Sequence, residues 1–234
     1  MTKKVNGRIS SFQSMGTLDG PGVRFVVFTQ GCPLRCACCH NPETWDKSGG
    51  KVYTAEEVVN RALKYKEYFG KDGGITVSGG EPLLQPEFTA EIFKLCRKNK
   101  IGTCLDTSGA VADVKNVLEF TDYCLLDIKY TEDGQYKKYV GCSLSLPLEF
   151  LKRLNEKNIP TRIRQVIIKG LNDNAENIKR LKALVSPYKC VKEIELLPFR
   201  KLCVSKYESR GLVFPLKNTP ETTKSEIENL QKLL

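Results

Sequence analysis

A short cysteine-rich loop limits what this 234-residue chain can fold into more than any other feature. Cys32, Cys36 and Cys39 are spaced C-x3-C-x2-C and follow the apolar run Val23–Gln30, which predicts a buried strand. Thiolates are soft ligands that select zinc, copper(I) or iron–sulfur clusters. The loop therefore predicts a metal centre at the end of a strand.

The number of cysteines distinguishes the candidate metal centres. A structural zinc ion takes four protein ligands, and an electron-transfer iron–sulfur cluster usually has four thiolates. Three cysteines leave one iron of a 4Fe–4S cluster open to a substrate or cofactor. A Cys3His zinc site would use the adjacent Cys39 and His40, which are awkward partners on one tetrahedral ion, and a zinc ribbon would need a second C-x2-C pair. A cluster with an open iron is the favoured interpretation.

Strand-like and helix-like segments alternate after the loop. The predicted strands are 23–30, 75–78, 102–106, 123–129, 162–168 and 191–198. The predicted helices are 54–65 with a Thr54/Glu57 capping box, 86–95, 111–120, 149–158, 175–185 and 220–234, and residues 200–211 read as a loop. Six alternating strands predict an α/β fold with a parallel sheet, open or partly coiled, because a closed barrel needs eight. No linker is evident, so one domain over residues 1–234 is expected.

Polar or glycine-rich segments lie at the ends of several of these strands. They are Gly79-Gly80-Glu81-Pro82, Asp106-Thr107, Asp127-Ile128-Lys129, Arg164 within the fifth strand and Arg200 after the sixth. Taken alone, each reads as a turn, a helix N-cap or a surface charge. Functional residues of parallel βα folds gather at the carboxyl ends of strands, so their joint placement predicts one site.

The words around the cysteine loop resemble a known family. They are Gly16-Thr17-Leu18-Asp19-Gly20-Pro21-Gly22-Val23-Arg24, Cys39-His40-Asn41-Pro42 and Thr44-Trp45-Asp46. With the cysteine triplet they resemble the radical S-adenosylmethionine (radical SAM) enzymes, and within them the glycyl-radical-enzyme activases of the pyruvate formate-lyase type. The likeness runs from about Gly7 to the C-terminus. It implies a partial (β/α)6 parallel barrel without an inserted ferredoxin-like domain.

The resemblance implies an oxidoreductase that uses a 4Fe–4S cluster and S-adenosylmethionine. Cys32, Cys36 and Cys39 would hold the cluster, whose electron cleaves the sulfonium. The resulting 5′-deoxyadenosyl radical would take a hydrogen atom from a backbone glycine of a partner enzyme. The implied partner is a glycyl radical enzyme, pyruvate formate-lyase, and the implied electron donor is flavodoxin or ferredoxin. Asp19–Arg24 is expected beside the cysteine loop, where a glycine loop of the partner would enter.

The resemblance also implies which residues meet the cofactor. Gly80 matches the position at the methionine end, where glycine permits close backbone approach. The full set of implied cofactor contacts is Cys38, Cys39, His40, Gly80, Asp127, Ile128, Lys129 and Arg200. Asp106, Thr107 and Asp127 are the implied ligands of a monovalent cation beside the cofactor.

Two positions depart from the family pattern. Cys38 stands where most radical SAM enzymes have an aromatic residue, so adenine must pack differently or Cys38 competes as a ligand. Arg200 stands where the activases have a histidine, and would replace it by stacking or by binding the ribose or carboxylate. Two rivals stay open: a radical SAM enzyme for a small molecule, and a zinc-binding interaction module.

Composition excludes other classes of function. The single histidine, His40, follows no nucleophile elbow, which disfavours a hydrolase, and no GxGxxG word supports a nicotinamide dehydrogenase. The net charge of +10 invites a nucleic-acid partner, but the basic residues are spread, and an acidic electron carrier is the better alternative. No apolar run long enough for a membrane span or a signal peptide is present, so we expect a cytoplasmic monomer with reduced thiols.

Overall fold

The computed structural model describes residues 4–234, which form two compact units. The first unit consists of residues 4–33 and 44–125, and the second consists of residues 34–43 and 126–234. The expectation of a single domain stays a prediction. Within residues 4–234, every helix is too short or too polar to cross a lipid bilayer.

The first unit is built on five paired strands. They are β1 (Asn6–Gly16), β2 (Arg24–Thr29), β3 (Lys51–Thr54), β4 (Gly74–Gly79) and β5 (Gly102–Thr107). β1 pairs antiparallel with β2 and β3, whereas β2 with β4 and β4 with β5 are parallel, which gives the order β3-β1-β2-β4-β5. β2, β4 and β5 match predicted strands, because strands of a buried parallel sheet read as apolar runs.

β1 and β3 are strands that the sequence analysis missed. The apolar residues of β1, Ile9, Phe12 and Met15, are spaced by three rather than by two. Two register shifts against β2, between Ile9 and Ser11 and between Gln13 and Gly16, account for that spacing. A bulge moves the following side chains to the other face, so the period-two signal is lost.

The helices of the first unit are α1 (Ala55–Leu63), α2 (Lys66–Phe69) and α3 (Pro86–Lys98). The predicted capping box is confirmed, since Thr54 Oγ1 accepts from Glu57 N and Glu57 accepts from Thr54 N. The predicted helix over 111–120 is wrong, because only a 3-10 turn over Val117–Phe120 forms. Lys115 has a φ of 36° and donates its amide to Asp113 Oδ1 at 3.2 Å, a local turn that competes with a helix.

The second unit alternates strands and helices from the end of β6. Its elements are β6 (Tyr123–Asp127, whose last two residues lie in this unit), α4 (Asp133–Tyr139), α5 (Ser145–Glu156), β7 (Thr161–Ile167), α6 (Ala175–Val185), β8 (Val191–Pro198), α7 (Val204–Glu208) and α8 (Lys224–Gln231). β7 and β8 are parallel, and Ile128 N donates to Arg164 O at 3.0 Å. The sequence predicted α6 and β8 with these bounds. It missed α4 and α7, which are too short to show a helical period.

A buried arginine stabilises the amino ends of the parallel strands. The Arg24 side chain is 2% exposed and donates to Thr76 Oγ1 at 3.0 Å and Ile75 O at 2.5 Å. The same guanidinium also reaches the carbonyls of Pro21, Asp72 and Gly102. Arg24 begins β2, whereas the cysteine loop follows the other end of that strand. Asp19–Arg24 therefore joins the amino end of β2, and its expected place beside the cysteine loop stays a prediction.

Arg24→Met should lower the free energy of unfolding by about 3 kcal/mol or more, because each buried carbonyl left without a donor costs about 1–3 kcal/mol. Urea unfolding followed by circular dichroism measures the change. Arg210→Met is the matched control, since Arg210 is exposed and its loss should change stability by less than about 0.5 kcal/mol. Equal effects of the two substitutions would show that the buried bonds do not matter.

Candidate functional site

The glycine pair after β4 lies against the start of the cysteine loop in the first unit. Gly80 N donates to Thr29 O at 2.9 Å, and Glu81 N donates to Gly31 O at 2.9 Å. A Cβ atom at residue 80 would overlap the carbonyl oxygen of Gly31. Glycine at position 80 therefore permits close contact between two backbone segments of the protein itself, which is a reason for the residue that the sequence analysis did not foresee.

Glu81 joins the ends of β4 and β5. Its side chain is buried, and one carboxylate oxygen accepts from Thr107 Oγ1 at 2.6 Å and from Leu83 N at 3.1 Å. The other oxygen accepts from Ser108 N at 3.0 Å and Ser108 Oγ at 2.5 Å. These bonds satisfy a buried carboxylate without a cation. The sequence analysis gave Glu81 no role of its own, because its hydroxyl donors Thr107 and Ser108 lie 26 and 27 positions away and belong to no local pattern.

Asp106 and Thr107 lie at the same edge of the first unit as Glu81. Asp106 Oδ2 accepts from Ser78 Oγ at 2.8 Å, and Thr107 Oγ1, besides donating to Glu81, accepts from Gly109 N at 3.0 Å. The predicted gathering of polar residues at strand ends is seen here. Asp127 belongs to the second unit, and a monovalent cation shared by Asp106, Thr107 and Asp127 stays a prediction.

Asp127 is the centre of an ion-pair network in the second unit. Its two oxygens lie 2.9 Å from Lys129 Nζ and 3.0 Å from Arg164 Nε, and all three side chains are at most 24% exposed. Breaking a partly buried ion pair of this kind costs more than breaking a surface pair, which contributes about 0–1 kcal/mol. Ile128, between Asp127 and Lys129, is fully buried and packs in the core. The network holds Asp127 and Lys129 at the end of β6.

The same network fixes the protonation states of its members. Burial alone would raise the pKa of the Asp127 carboxyl, but the Arg164 and Lys129 cations outweigh burial and hold this pKa below its usual value. Burial alone would lower the pKa of Lys129, but Asp127 and the thiols of Cys36 and Cys38 raise it well above its usual value. At neutral pH the network therefore contains the Lys129 ammonium and the Arg164 guanidinium beside the Asp127 carboxylate. The positive charge of Lys129 also interacts with Cys36 and Cys38 in the cysteine loop.

The front half of the cysteine loop is attached to the end of α4. Arg35 N donates to Val140 O at 3.2 Å, and Ala37 N donates to Tyr139 O at 2.8 Å. Carbonyls in the last turn of a helix have no partner within the helix, so they are available to bind another segment. The loop thus supplies hydrogen-bond donors to the last carbonyls of α4, and these main-chain bonds hold the loop in place.

The back half of the loop is held by α7. Lys206 Nζ donates to Asn41 Oδ1 at 2.8 Å and lies 2.6 Å from Glu43 Oε1. Tyr207 Oη donates to Cys39 O at 3.2 Å. These anchors use the Cys39 carbonyl and the side chains of Asn41 and Glu43, so they do not depend on the cysteine sulfurs. Neither Lys206 nor Tyr207 was singled out in the sequence, because α7 itself was not predicted.

Arg200 meets the loop through its main chain. His40 Nε2 donates to Arg200 O at 2.9 Å, while the Arg200 guanidinium donates to Thr222 O at 2.9 Å and lies 3.5 Å from Glu221. The structure thus brings together His40 and Arg200, two of the implied cofactor contacts. Stacking of Arg200 or its binding to a ribose or carboxylate stays a prediction.

The cysteines of the loop fit a thiolate-bound cluster by their chemistry. Cys32, Cys36, Cys38 and Cys39 are all half-buried and none forms a disulfide. Burial raises the pKa of the Cys38 thiol, with Lys129 opposing the rise. Among residues 4–234, no three side chains of His, Cys, Asp or Glu are arranged as a preformed metal site. Joint ligation by Cys32, Cys36 and Cys39 therefore stays a prediction, supported by the donor set and by the independently anchored loop.

Lys206→Met should expose the back half of the loop, because it removes two bonds to Asn41 and Glu43. Labelling of Cys39 by a thiol reagent in the metal-free protein, resolved by peptide mass spectrometry, should become about threefold faster or more. Lys224→Met is the control, since Lys224 is 89% exposed and pairs only with Glu228 on α8. Unchanged labelling of Cys39 would contradict the proposed anchoring.

Comparison with known proteins identifies relatives along the whole chain. Residues 26–181 match the Radical SAM superfamily profile. The chain is 44% identical over 232 residues to the pyruvate formate-lyase-activating enzyme of Clostridium pasteurianum, covering 98% of both chains. It is 40% identical over 235 residues to the pyruvate formate-lyase 1-activating enzyme of Escherichia coli (strain K12), covering 98% of this chain and 96% of the relative.

A solved structure confirms the fold class. The crystal structure of a domain of pyruvate-formate lyase-activating enzyme from Bacteroides vulgatus superposes with a TM-score of 0.56 at 24% identity. The match covers 69% of this chain and 92% of that domain. The predicted α/β fold of the radical SAM type is therefore confirmed.

Proposed function

Since this chain belongs to the radical SAM superfamily and, within it, to the pyruvate formate-lyase-activating enzymes, we propose that it activates pyruvate formate-lyase by forming a radical on a backbone glycine of that partner. The observation that carries the proposal is the near-complete alignment to activating enzymes at 44% identity. The family uses a 4Fe–4S cluster and S-adenosylmethionine. When bound, the cluster supplies the electron for reductive cleavage of S-adenosylmethionine, which leads to removal of a hydrogen atom from the partner's glycine.

Cys32, Cys36 and Cys39 are the proposed cluster ligands, and Cys38 is the proposed non-ligand. The contacts of α4 and α7 hold the loop through groups other than these sulfurs, which supports ligation by the side chains. Lys129 contributes a positive charge that compensates part of the negative charge of a thiolate-bound cluster.

Asp127 and Lys129 are the proposed partners of the amino acid part of S-adenosylmethionine. An ammonium needs acceptors and a carboxylate needs cations, and these two side chains supply both. A carboxylate can accept several hydrogen bonds, so Asp127 can bind a ligand while it keeps Lys129 and Arg164. We propose Gly80, His40 and Arg200 as neighbouring contacts, with Arg200 oriented by Thr222 and Glu221.

An acidic electron carrier, flavodoxin or ferredoxin, is the proposed electron donor. The chain has a net charge of +10, which attracts an acidic partner over distances longer than a hydrogen bond. Such attraction speeds encounter more than it strengthens the final complex.

Single Cys→Ala variants test the ligand assignment. After anaerobic reconstitution, the variants at 32, 36 and 39 should lose the iron–sulfur absorption and most of the labile sulfide, because each removes one of three thiolates. Cys38→Ala is the matched control from the same loop and should retain both. Loss of the cluster in the Cys38 variant with retention in the Cys39 variant would reverse the assignment, and one zinc per chain would support an interaction module instead.

Incubation with pyruvate formate-lyase tests the activity. With reductant and S-adenosylmethionine under anaerobic conditions, electron paramagnetic resonance should show a glycyl doublet on the partner. Deuterium placed at the partner's glycine should appear in 5′-deoxyadenosine. A partner with that glycine changed to alanine is the control. Cofactor cleavage that yields no glycyl radical, with the label arising from a small metabolite, would favour the small-molecule enzyme.

A further inference from the structure

Tyr130 carries a buried hydroxyl without a partner. Its side chain is 1% exposed, and among residues 4–234 its oxygen forms no hydrogen bond. A buried hydroxyl without a partner is destabilising, and the large majority of such groups are paired in folded proteins. An exception of this kind requires an explanation, and a group that binds beside it when the protein is loaded is one.

The hydroxyl lies in the part of the second unit to which the cysteine loop is attached. The Tyr130 ring packs against Tyr139, with centroids 5.4 Å apart, and against Tyr136 at 6.5 Å. Tyr139 also supplies the carbonyl that accepts from Ala37 N at 2.8 Å. Tyr130 thus packs on Tyr139, and the carbonyl of Tyr139 binds the loop backbone at Ala37, between Cys36 and Cys38.

The same hydroxyl stays protonated at neutral pH. Burial raises the pKa of Tyr130, and Cys38 and Cys36 raise it further while Lys129 opposes them. A hydroxyl held neutral in this way is a hydrogen-bond donor. Tyr136, by comparison, already donates to Asp127 O at 3.4 Å.

We propose that Tyr130 donates a hydrogen bond to a sulfur of the iron–sulfur cluster or of its cysteine ligands, and that this bond raises the reduction potential of the cluster. Hydrogen bonds to cluster sulfurs are one of the means by which a protein sets that potential. One-electron reduction adds negative charge to the cluster, and a donor stabilises the reduced form more than the oxidised form. Tyr130 acts through the cluster and is a positioning residue.

Tyr130→Phe keeps the ring and removes only the donor. In the anaerobically reconstituted protein without S-adenosylmethionine, a redox titration followed by electron paramagnetic resonance should show a more negative midpoint potential. We expect the reduction equilibrium to change by about tenfold, which is about 59 mV for a one-electron couple. Tyr139→Phe is the matched control, because Tyr139 is half-buried in the same aromatic group and should leave the potential unchanged.

Thermal unfolding gives a second readout that does not depend on redox chemistry. In the metal-free protein, Tyr130→Phe removes an unpaired buried hydroxyl, so the melting temperature should stay the same or rise. In the cluster-loaded protein, the same substitution removes a hydrogen bond, so the melting temperature should fall. A change of sign between the two forms is specific to a bond made on loading.

An unchanged potential together with the same effect on both melting temperatures would overturn the proposal. A hydrogen bond from Tyr130 to a buried water would give that result. A shift that develops only after S-adenosylmethionine is added would also overturn it, because the acceptor would then be on that cofactor. The proposal rests on ligation by Cys36 and Cys39. Loss of the cluster in their alanine variants tests that premise separately, since Tyr130→Phe should keep its iron and sulfide.

Discussion

The cysteine loop depends on main-chain hydrogen bonds to the end of α4. A helix end has carbonyls with no partner of its own, and Tyr139 and Val140 offer theirs to Ala37 and Arg35. A metal-binding loop is supported by contacts that hold its backbone, and bonds through main-chain atoms do this without using the ligating side chains. Lys206 and Tyr207 add a second attachment on the other half of the loop. The loop is therefore held from two helices that are short and poorly marked in sequence, and these contacts do not use the cysteine sulfurs.

The two units position charge in different ways. In the first, the buried Glu81 carboxylate accepts hydrogen bonds from hydroxyl and amide donors, which replace the water that it loses on burial. In the second, Asp127 is balanced by Lys129 and Arg164, and the group keeps a net positive charge. A cluster with thiolate ligands is negative, and the carboxylate of S-adenosylmethionine is negative as well. The excess positive charge of the second network suits both, whereas the hydrogen bonds of the first network position groups and add no positive charge.

Much of the fold could be predicted from sequence because buried parallel strands read as apolar runs, as Arg24–Thr29 does. β1 could not be predicted in this way, because its two register shifts remove the period of two. The helices α4 and α7 could not be predicted because, at seven and five residues, they are too short to show a helical period. Sequence alone was enough to recognise the motifs that lie within one short stretch of chain. These are the cysteine triplet, Gly79-Gly80-Glu81 and Asp127–Lys129. Arg164 and the partners of Glu81 become meaningful only after strands far apart in sequence are brought together. The unpaired hydroxyl of Tyr130 depends on burial, which no local pattern reveals.

His40 is the only histidine in the chain, and it lies inside the cysteine loop with Nε2 donating to the Arg200 carbonyl. An imidazole gives proton and nitrogen resonances that are well separated from those of other side chains. In this protein they come from one position, so no assignment by mutagenesis is required. The hydrogen bond also selects the form with a proton on Nε2, which is distinguishable by nitrogen chemical shift. His40 is thus a natural spectroscopic probe of the loop. A paramagnetic cluster beside the loop would broaden or shift the His40 signal as the metal centre is assembled.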